Sequence, residues 1–203
     1  MTNAFATLAA GGIRPEPIAV KKVVDRNGAV LEENPIYREE VLSPQNAFMI
    51  TNMLESALNE GTGQSSRLMG FTEPAAGKTG TTNDQRDAWF NGYNPDLVTT
   101  TWIGFDQLKP LGNKETAAQA ALPVWVDFMR VALAGKPEKQ LARPDGLVTM
   151  KINAETGQAA SDTDTNTVFE IFRSENVPAT TTTVPAEIPV NGGGEATIPE
   201  QLF

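Results

Sequence analysis

The stretch from Ala76 to Phe105 constrains the fold more than any other. Ala76-Gly77-Lys78-Thr79-Gly80-Thr81-Thr82 is followed by two runs of strand character, Ala88 to Tyr93 and Leu97 to Phe105, joined at Asn94-Pro95-Asp96, where proline is placed to fix φ in a turn. Together the three segments predict an antiparallel meander. Its middle strand would carry Trp89, Asn91 and Tyr93 on one face and Ala88, Phe90 and Gly92 on the other. Aromatic residues on a sheet usually pack a helix, so Trp89 is expected in the core first and as a pocket wall second.

The first segment carries the chemistry. A lysine and a threonine between glycines, continued by two more threonines, put one cation and several small donors on backbone that a ligand can approach closely. Three readings compete. A phosphate-cradling P-loop needs a glycine five places before Gly77, but Thr72 stands there and the nearest glycine is Gly70. The residues from Thr81 to Asp87 are polar and unpatterned where a helix should open. The second reading is a surface turn with a solvated lysine. The third is the lysine-threonine-glycine element of the penicillin-recognising serine acyltransferases, carried on a sheet edge that would position Lys78 better than a loop.

Composition removes whole classes of function. With no cysteine and no histidine in 203 residues, a Ser-His-Asp triad, a cysteine protease and a histidine-built zinc site are excluded. Catalysis must use Lys, Ser, Thr, Asp or Glu. A net charge of -9 without a basic stripe argues against a nucleic-acid or anionic-membrane partner. Asp84, Asp87 and Asp96 lie at no ligand-like spacing, so no metal and no cofactor are expected. No apolar run is long enough to span a bilayer, and the start lacks the pattern of a signal peptide, which alone would suggest a cytosolic protein.

Around the meander the pattern predicts helices. Met1 to Ala10 has one apolar face and stops at Gly11-Gly12, and Asp25-Arg26-Asn27-Gly28 between Ile18 to Val24 and Ala29 to Leu31 signals a hairpin. Ser43-Pro44 reads as an N-cap and first helical residue, with Ile50, Met53, Leu54, Ala57 and Leu58 at helical spacing up to Gly61 and Met49 and Met53 filling the core. A second helix is expected to start near Pro123, to bury Val124, Trp125, Phe128, Val131 and Ala132 against the meander, and to close at Gly135 and Pro137. The expected organisation is residues 1–143 as the main body, 144–177 as a peripheral β extension with strands at 147–152 and 167–172, and 178–203 as a disordered Thr/Pro/Gly tail.

Read as a whole, GTGQSSRLMGFTEPAAGKTGTTNDQRDAWFNGYNPDLVTTTWIGFD, from Gly61 to Asp106, resembles the transpeptidase domain of the class A, bifunctional penicillin-binding proteins. The likeness rests on Gly61-Thr62-Gly63, the extended Ala76 to Thr82 segment, Arg86-Asp87-Ala88-Trp89-Phe90 and Trp102-Ile103-Gly104, and weakens outward to Met1 and about Pro178. Glu115-Thr116-Ala117-Ala118 departs from the family, which usually carries a glycine pair after that threonine. The resemblance implies an α+β fold, an antiparallel sheet flanked by helices, as part of a transpeptidase domain of the penicillin-binding-protein and β-lactamase type.

It also implies an activity, peptidoglycan D,D-transpeptidation, with stem peptides and β-lactams as partners and a location outside the cytoplasmic membrane. In the family, the lysine matched by Lys78 favours negative charge in the pocket and helps relay a proton. Thr79 would hold the substrate carboxylate, Gly80 would let the substrate backbone lie against the strand, Thr82 would line the same site, and the Thr81 N–H would be half of an oxyanion hole. The nucleophile is missing. Ser43, Ser56, Ser65, Ser66, Ser161 and Ser174 are followed three places on by Asn46, Asn59, Leu68, Met69, Asp164 and Val177, never by lysine. Ser174-Glu175-Asn176 mimics the S-x-N element but follows Lys78, whereas the family places that element before it. The family's order puts the nucleophile, the S-x-N element and a glycosyltransferase domain upstream of Met1, so the expected role is that of one part of a transpeptidase, inactive alone. A non-catalytic module that holds a carboxylate or peptide through Lys78 and Thr79 is the alternative, and a nucleotide-binding enzyme a distant third.

Overall fold

The structure is a computed structural model, described for residues 1–179. The expected tail lies, from residue 180 on, outside the described residues. The elements in order are α1 (Thr2–Ala9), β1 (Ile13–Pro15), β2 (Lys22–Val24), β3 (Val30–Glu33), β4 (Arg38–Glu40), α2 (Pro44–Asn59), α3 (Ser65–Leu68), β5 (Ala76–Thr81), β6 (Asp87–Tyr93), β7 (Val98–Gly104), α4 (Ala117–Leu133), β8 (Leu147–Asn153) and β9 (Thr167–Arg173). The fold is α+β, with small antiparallel sheets and flanking helices as the sequence predicts.

The predicted meander is present as a three-stranded sheet in the order β5-β6-β7, with Thr79 opposite Phe90 and Phe90 opposite Thr101. Its β6 residues divide between two layers. Phe90, Ala88 and Gly92 turn to α4, whose Trp125 ring meets the rings of Phe90 and Phe71 edge-on at 4.9 and 5.1 Å. Gly92 leaves the room this needs, since a Cβ there would come within 2.7 Å of the Trp125 ring. On the opposite face Tyr93 is buried under α1 and α2, with its hydroxyl 2.7 Å from that of Thr51 and its ring edge-on to Phe5. Burial of the phenol pushes its pKa up to about 12, against the opposing pull of the Thr51 hydrogen bond.

Two helices differ from expectation. Ser43 caps α2 as predicted, its hydroxyl accepting from the Asn46 N–H at 3.3 Å with Pro44 at the first helical position. The buried face, however, is Ala47, Thr51 and Leu58, while Ile50 and Met53 are exposed, so Met53 fills no core. The polar Thr51 is buried because its hydroxyl satisfies both the Ala47 carbonyl and Tyr93. The second helix, α4, begins at Ala117 rather than near Pro123, which lies inside it. Its buried stripe is Ala117, Ala121, Leu122, Trp125, Val126, Met129 and Leu133, and Val124, Phe128 and Val131 face solvent.

Smaller ladders complete the first part of the chain. The Asn27-Gly28 hairpin forms as β2–β3, with the Asp25 carboxylate accepting from the N–H groups of Asn27 and Ala29 and Gly28 at φ +85°. The β1–β4 pair was not anticipated: its strands are three residues each and almost wholly exposed, too short to leave a period in the sequence. By compactness residues 1–149 with 171–177 form one unit and 150–170 belong to a second, in which Ile152 and Ala159 are buried and bridge one another. The two strands expected at 147–152 and 167–172 form as β8 and β9, paired antiparallel.

Candidate functional site

The site is built on β5, an outer strand of its sheet. Packing decides the first half of this strand: Ala76 is fully buried, and a Cβ on Gly77 would sit 2.7 Å from the Phe90 ring. Gly80 is different. A Cβ there would meet Trp89 at an ordinary 3.4 Å, so the protein's own packing does not demand a glycine. The bare backbone at Gly80 leaves room for a close approach from outside.

Hydrogen bonding orients the strand's free groups. The Thr82 N–H bonds the Asp87 carbonyl at 3.1 Å in register with the ladder. By the alternation of an antiparallel pair, Lys78 and Gly80 then exchange bonds with β6, while Thr79 and Thr81 turn their N–H and C=O groups to the open edge. The Lys78 ammonium agrees with this: it reaches along the edge to the Thr79 carbonyl at 3.0 Å and the Thr79 hydroxyl at 3.2 Å. It also meets the Thr62 hydroxyl at 3.4 Å. All three partners are threonine oxygens, and none is a serine.

Thr81 and Thr82 have structural duties as well. The Thr81 hydroxyl accepts from the Ala117 N–H at 3.0 Å and so satisfies the first residue of α4, whose Thr116 provides no side-chain cap. The Thr82 hydroxyl accepts from the Asp87 N–H at 2.8 Å and closes the β5–β6 connection. Asp87 in turn accepts from the Trp102 indole at 2.9 Å, and Trp102 lies 6.0 Å from a half-buried Trp89. In the connection itself Asp84 and Gln85 hold positive φ values of 58° and 53°, a conformation most side chains avoid. Beside it an open depression of about 410 Å³ is lined by Thr82, Asn83, Asp84, Arg86, Asp87 and Leu108. An apolar cleft of about 430 Å³ near Leu8, Phe48 and Arg143 includes no residue of β5 and has no part in this chemistry.

The approach to β5 is held by Arg67. Its guanidinium donates to the Asn59 side chain at 2.7 and 2.9 Å and to the carbonyls of Phe71 and Glu73 at 2.8 and 2.9 Å, tying the segment before β5 to the end of α2. Burial lowers the pKa of Arg67 and raises that of Glu55, and the opposite charge of each partly offsets the shift in the other.

The structure therefore brings Lys78, Thr79, Gly80 and Thr81 onto one strand, with Thr82 directly after it, and sets an ammonium, hydroxyls and outward backbone N–H groups along its edge. Such an edge can take up a carboxylate or a developing oxyanion. Sequence reasoning assigned no role to Thr62, although Gly61-Thr62-Gly63 was conspicuous. Both glycines lie close to α2: a Cβ on Gly61 would fall 2.9 Å from the Ala57 carbonyl, and one on Gly63 3.0 Å from the end of the Leu58 side chain. A threonine between two such glycines was the available signal.

Comparison with known proteins agrees with this geometry. Residues 1–122 match the family model described as the penicillin-binding protein transpeptidase domain. Penicillin-binding protein 1A of Pseudomonas aeruginosa is 37% identical over 175 residues, 86% of this chain and 20% of the relative, and that of Aquifex aeolicus is 37% identical over 163 residues, 80% of this chain and 22% of the relative. The crystal structure of penicillin-binding protein 1A from Haemophilus influenzae superposes with a TM-score of 0.80 at 28% identity, covering 89% of this chain and 32% of that one. PonA1 from Mycobacterium tuberculosis superposes with a TM-score of 0.58 at 32% identity, over 70% of this chain and 40% of that one. The chain thus spans about a fifth of the length of these curated relatives. On this ground, and with the edge strand in the position the resemblance implied, the chain belongs to the penicillin-binding protein transpeptidase domain family.

Proposed function

We propose that this chain supplies the lysine-threonine-glycine edge of a serine-type peptidoglycan D,D-transpeptidase, and that the attacking serine belongs to polypeptide outside it. The observation that carries the reading is the Lys78 ammonium within hydrogen-bond reach of the Thr79 hydroxyl on an outer strand whose Thr81 N–H faces the open side. In the proposed reaction the serine oxygen attacks the carbonyl of the penultimate D-alanine, the terminal D-alanine leaves, and an amine of a second stem peptide resolves the acyl-enzyme. Thr79 holds the terminal carboxylate, and Lys78 stabilises negative charge and helps return the proton. Gly80 admits the peptide backbone, the Thr81 N–H donates to the oxyanion with the nucleophile's own N–H, and Thr82 shapes the end of the groove. A β-lactam presents a carboxylate and a reactive carbonyl to the same groups and is trapped at the acyl stage.

The whole protein would act outside the cytoplasmic membrane; among the described residues no helix is long and apolar enough to cross one. Exposure to a fluorescent penicillin tests the proposal. The chain alone should remain unlabelled and the protein extended upstream should be labelled. Labelling of the isolated chain would refute the placement of the nucleophile, and reversible binding of a D-Ala-D-Ala peptide without labelling of either form would favour a carboxylate-binding module.

A further inference from the structure

We propose that Thr62 is a positioning residue, one that commits the Thr79 hydroxyl to donating its proton to the substrate carboxylate. The proposal rests on the transpeptidase reading and adds a residue to it. Two contacts motivate it: the Thr62 and Thr79 hydroxyls are 2.7 Å apart, the usual separation of an O–H···O bond, and the Lys78 ammonium donates to both.

Counting protons gives the direction. A hydroxyl has one proton and two acceptor sites, and an ammonium has protons only. Lys78 fills one acceptor site on each threonine, so a single proton lies between the two hydroxyls. If Thr79 donates it, Thr79 keeps only a lone pair and has no proton to offer a carboxylate. If Thr62 donates it, both acceptor sites of Thr79 are full, and its one remaining option is to donate outward. An arriving carboxylate, which only accepts, selects this second arrangement. The chain ammonium to Thr62, Thr62 to Thr79 and Thr79 to carboxylate then runs in one direction, and each bond polarises the next.

The backbone makes Thr62 able to do this. Its loop is folded onto the end of α2 by the Gly61 N–H to the Ser56 carbonyl at 3.1 Å and the Gly63 N–H to the Ala57 carbonyl at 2.9 Å. The hydroxyl is thereby held from outside β5, independently of the strand it orients.

The test uses the extended, nucleophile-bearing protein and compares acylation by a penicillin with acylation by its methyl ester, which lacks the anionic oxygen. Thr62→Val should slow acylation by the acid about tenfold, as loss of one hydrogen bond in a charge-assisted chain does, and leave the ester within twofold of the unaltered protein. Thr62→Ser should restore the acid to within about twofold. Equal losses with acid and ester, or failure of serine to rescue, would show that Thr62 only supports the fold. An unchanged rate for Thr62→Val with both compounds would overturn the proposal while leaving the transpeptidase reading intact. An unaltered extended protein that neither compound acylates would overturn both.

Discussion

The antiparallel hairpins β2–β3 and β5–β6 have opposite characters. Every residue of β2 and β3 is exposed, including Val24 and Leu31. In β5 and β6, Ala76, Ala88, Phe90 and Tyr93 are fully buried, with α4 over one face and α1 and α2 over the other. A hairpin supported on neither face is weakly held, since most of a sheet's stability comes from what its side chains pack against. One supported on both faces can hold an ammonium and a hydroxyl within a few tenths of an ångström. That difference gives a reason for the groups of the proposed site to lie on β5 and for the glycines nearest the core to be matters of packing.

The comparison can be broken by substitution, and the largest effect is expected at its centre. Phe90→Ala removes the ring that joins β5 to Trp125 and should destabilise the protein by about 3–5 kcal/mol in urea unfolding. A loss below about 1 kcal/mol would show that the sheet does not depend on that contact.

Alkali should attack the opposite face. Because the Tyr93 pKa is raised to about 12 in the folded protein, above an ordinary value near 10, the folded state keeps a proton that the unfolded state gives up. The stabilisation is complete below pH 10 and is lost as pH rises through about 12, by about 3 kcal/mol at most. Tyr93→Phe should remove this dependence, which a series of unfolding curves between pH 9 and 12 would reveal.

Thr81→Val separates structure from chemistry on β5. The substitution leaves the Ala117 N–H without its acceptor and should cost about 1 kcal/mol, while the outward Thr81 N–H is retained. In the extended protein, acylation by a penicillin should therefore fall far less than stability would suggest. The smallest effects belong to exposed positions: Leu31→Ala in the unsupported hairpin and Gly80→Ala on β5 should each change stability by less than about 0.5 kcal/mol. Only Gly80→Ala should also slow acylation. Equal silence of the two in that assay would mean that no ligand backbone lies against Gly80.

Much of this was legible in local sequence. The β5–β6–β7 meander, the Ser43-Pro44 start of α2 and the Asn27-Gly28 turn arise from alternation, capping and turn chemistry, each of which acts over a few residues. The errors all fell where a distant group decided. The start of α4 was placed near Pro123 because proline favours the first turn, but Ala117 starts it with its N–H on the hydroxyl of Thr81, 36 residues earlier. Met53 and Val131 were assigned to the core from apolar residues at helical spacing, yet the buried faces also take small residues, Thr51 toward Tyr93 and Ala121 among the core side chains around Trp125.

By itself the sequence determined that a lysine, two glycines and two threonines share one strand and that neither histidine nor cysteine takes part, because residue order and composition are all that such statements need. Tertiary structure decided which way those groups face. It set the Thr81 hydroxyl under α4, left Gly80 open, and brought Thr62 to within 2.7 Å of Thr79, since contacts across 17 or 36 residues depend on how α2 and α4 pack around the sheet.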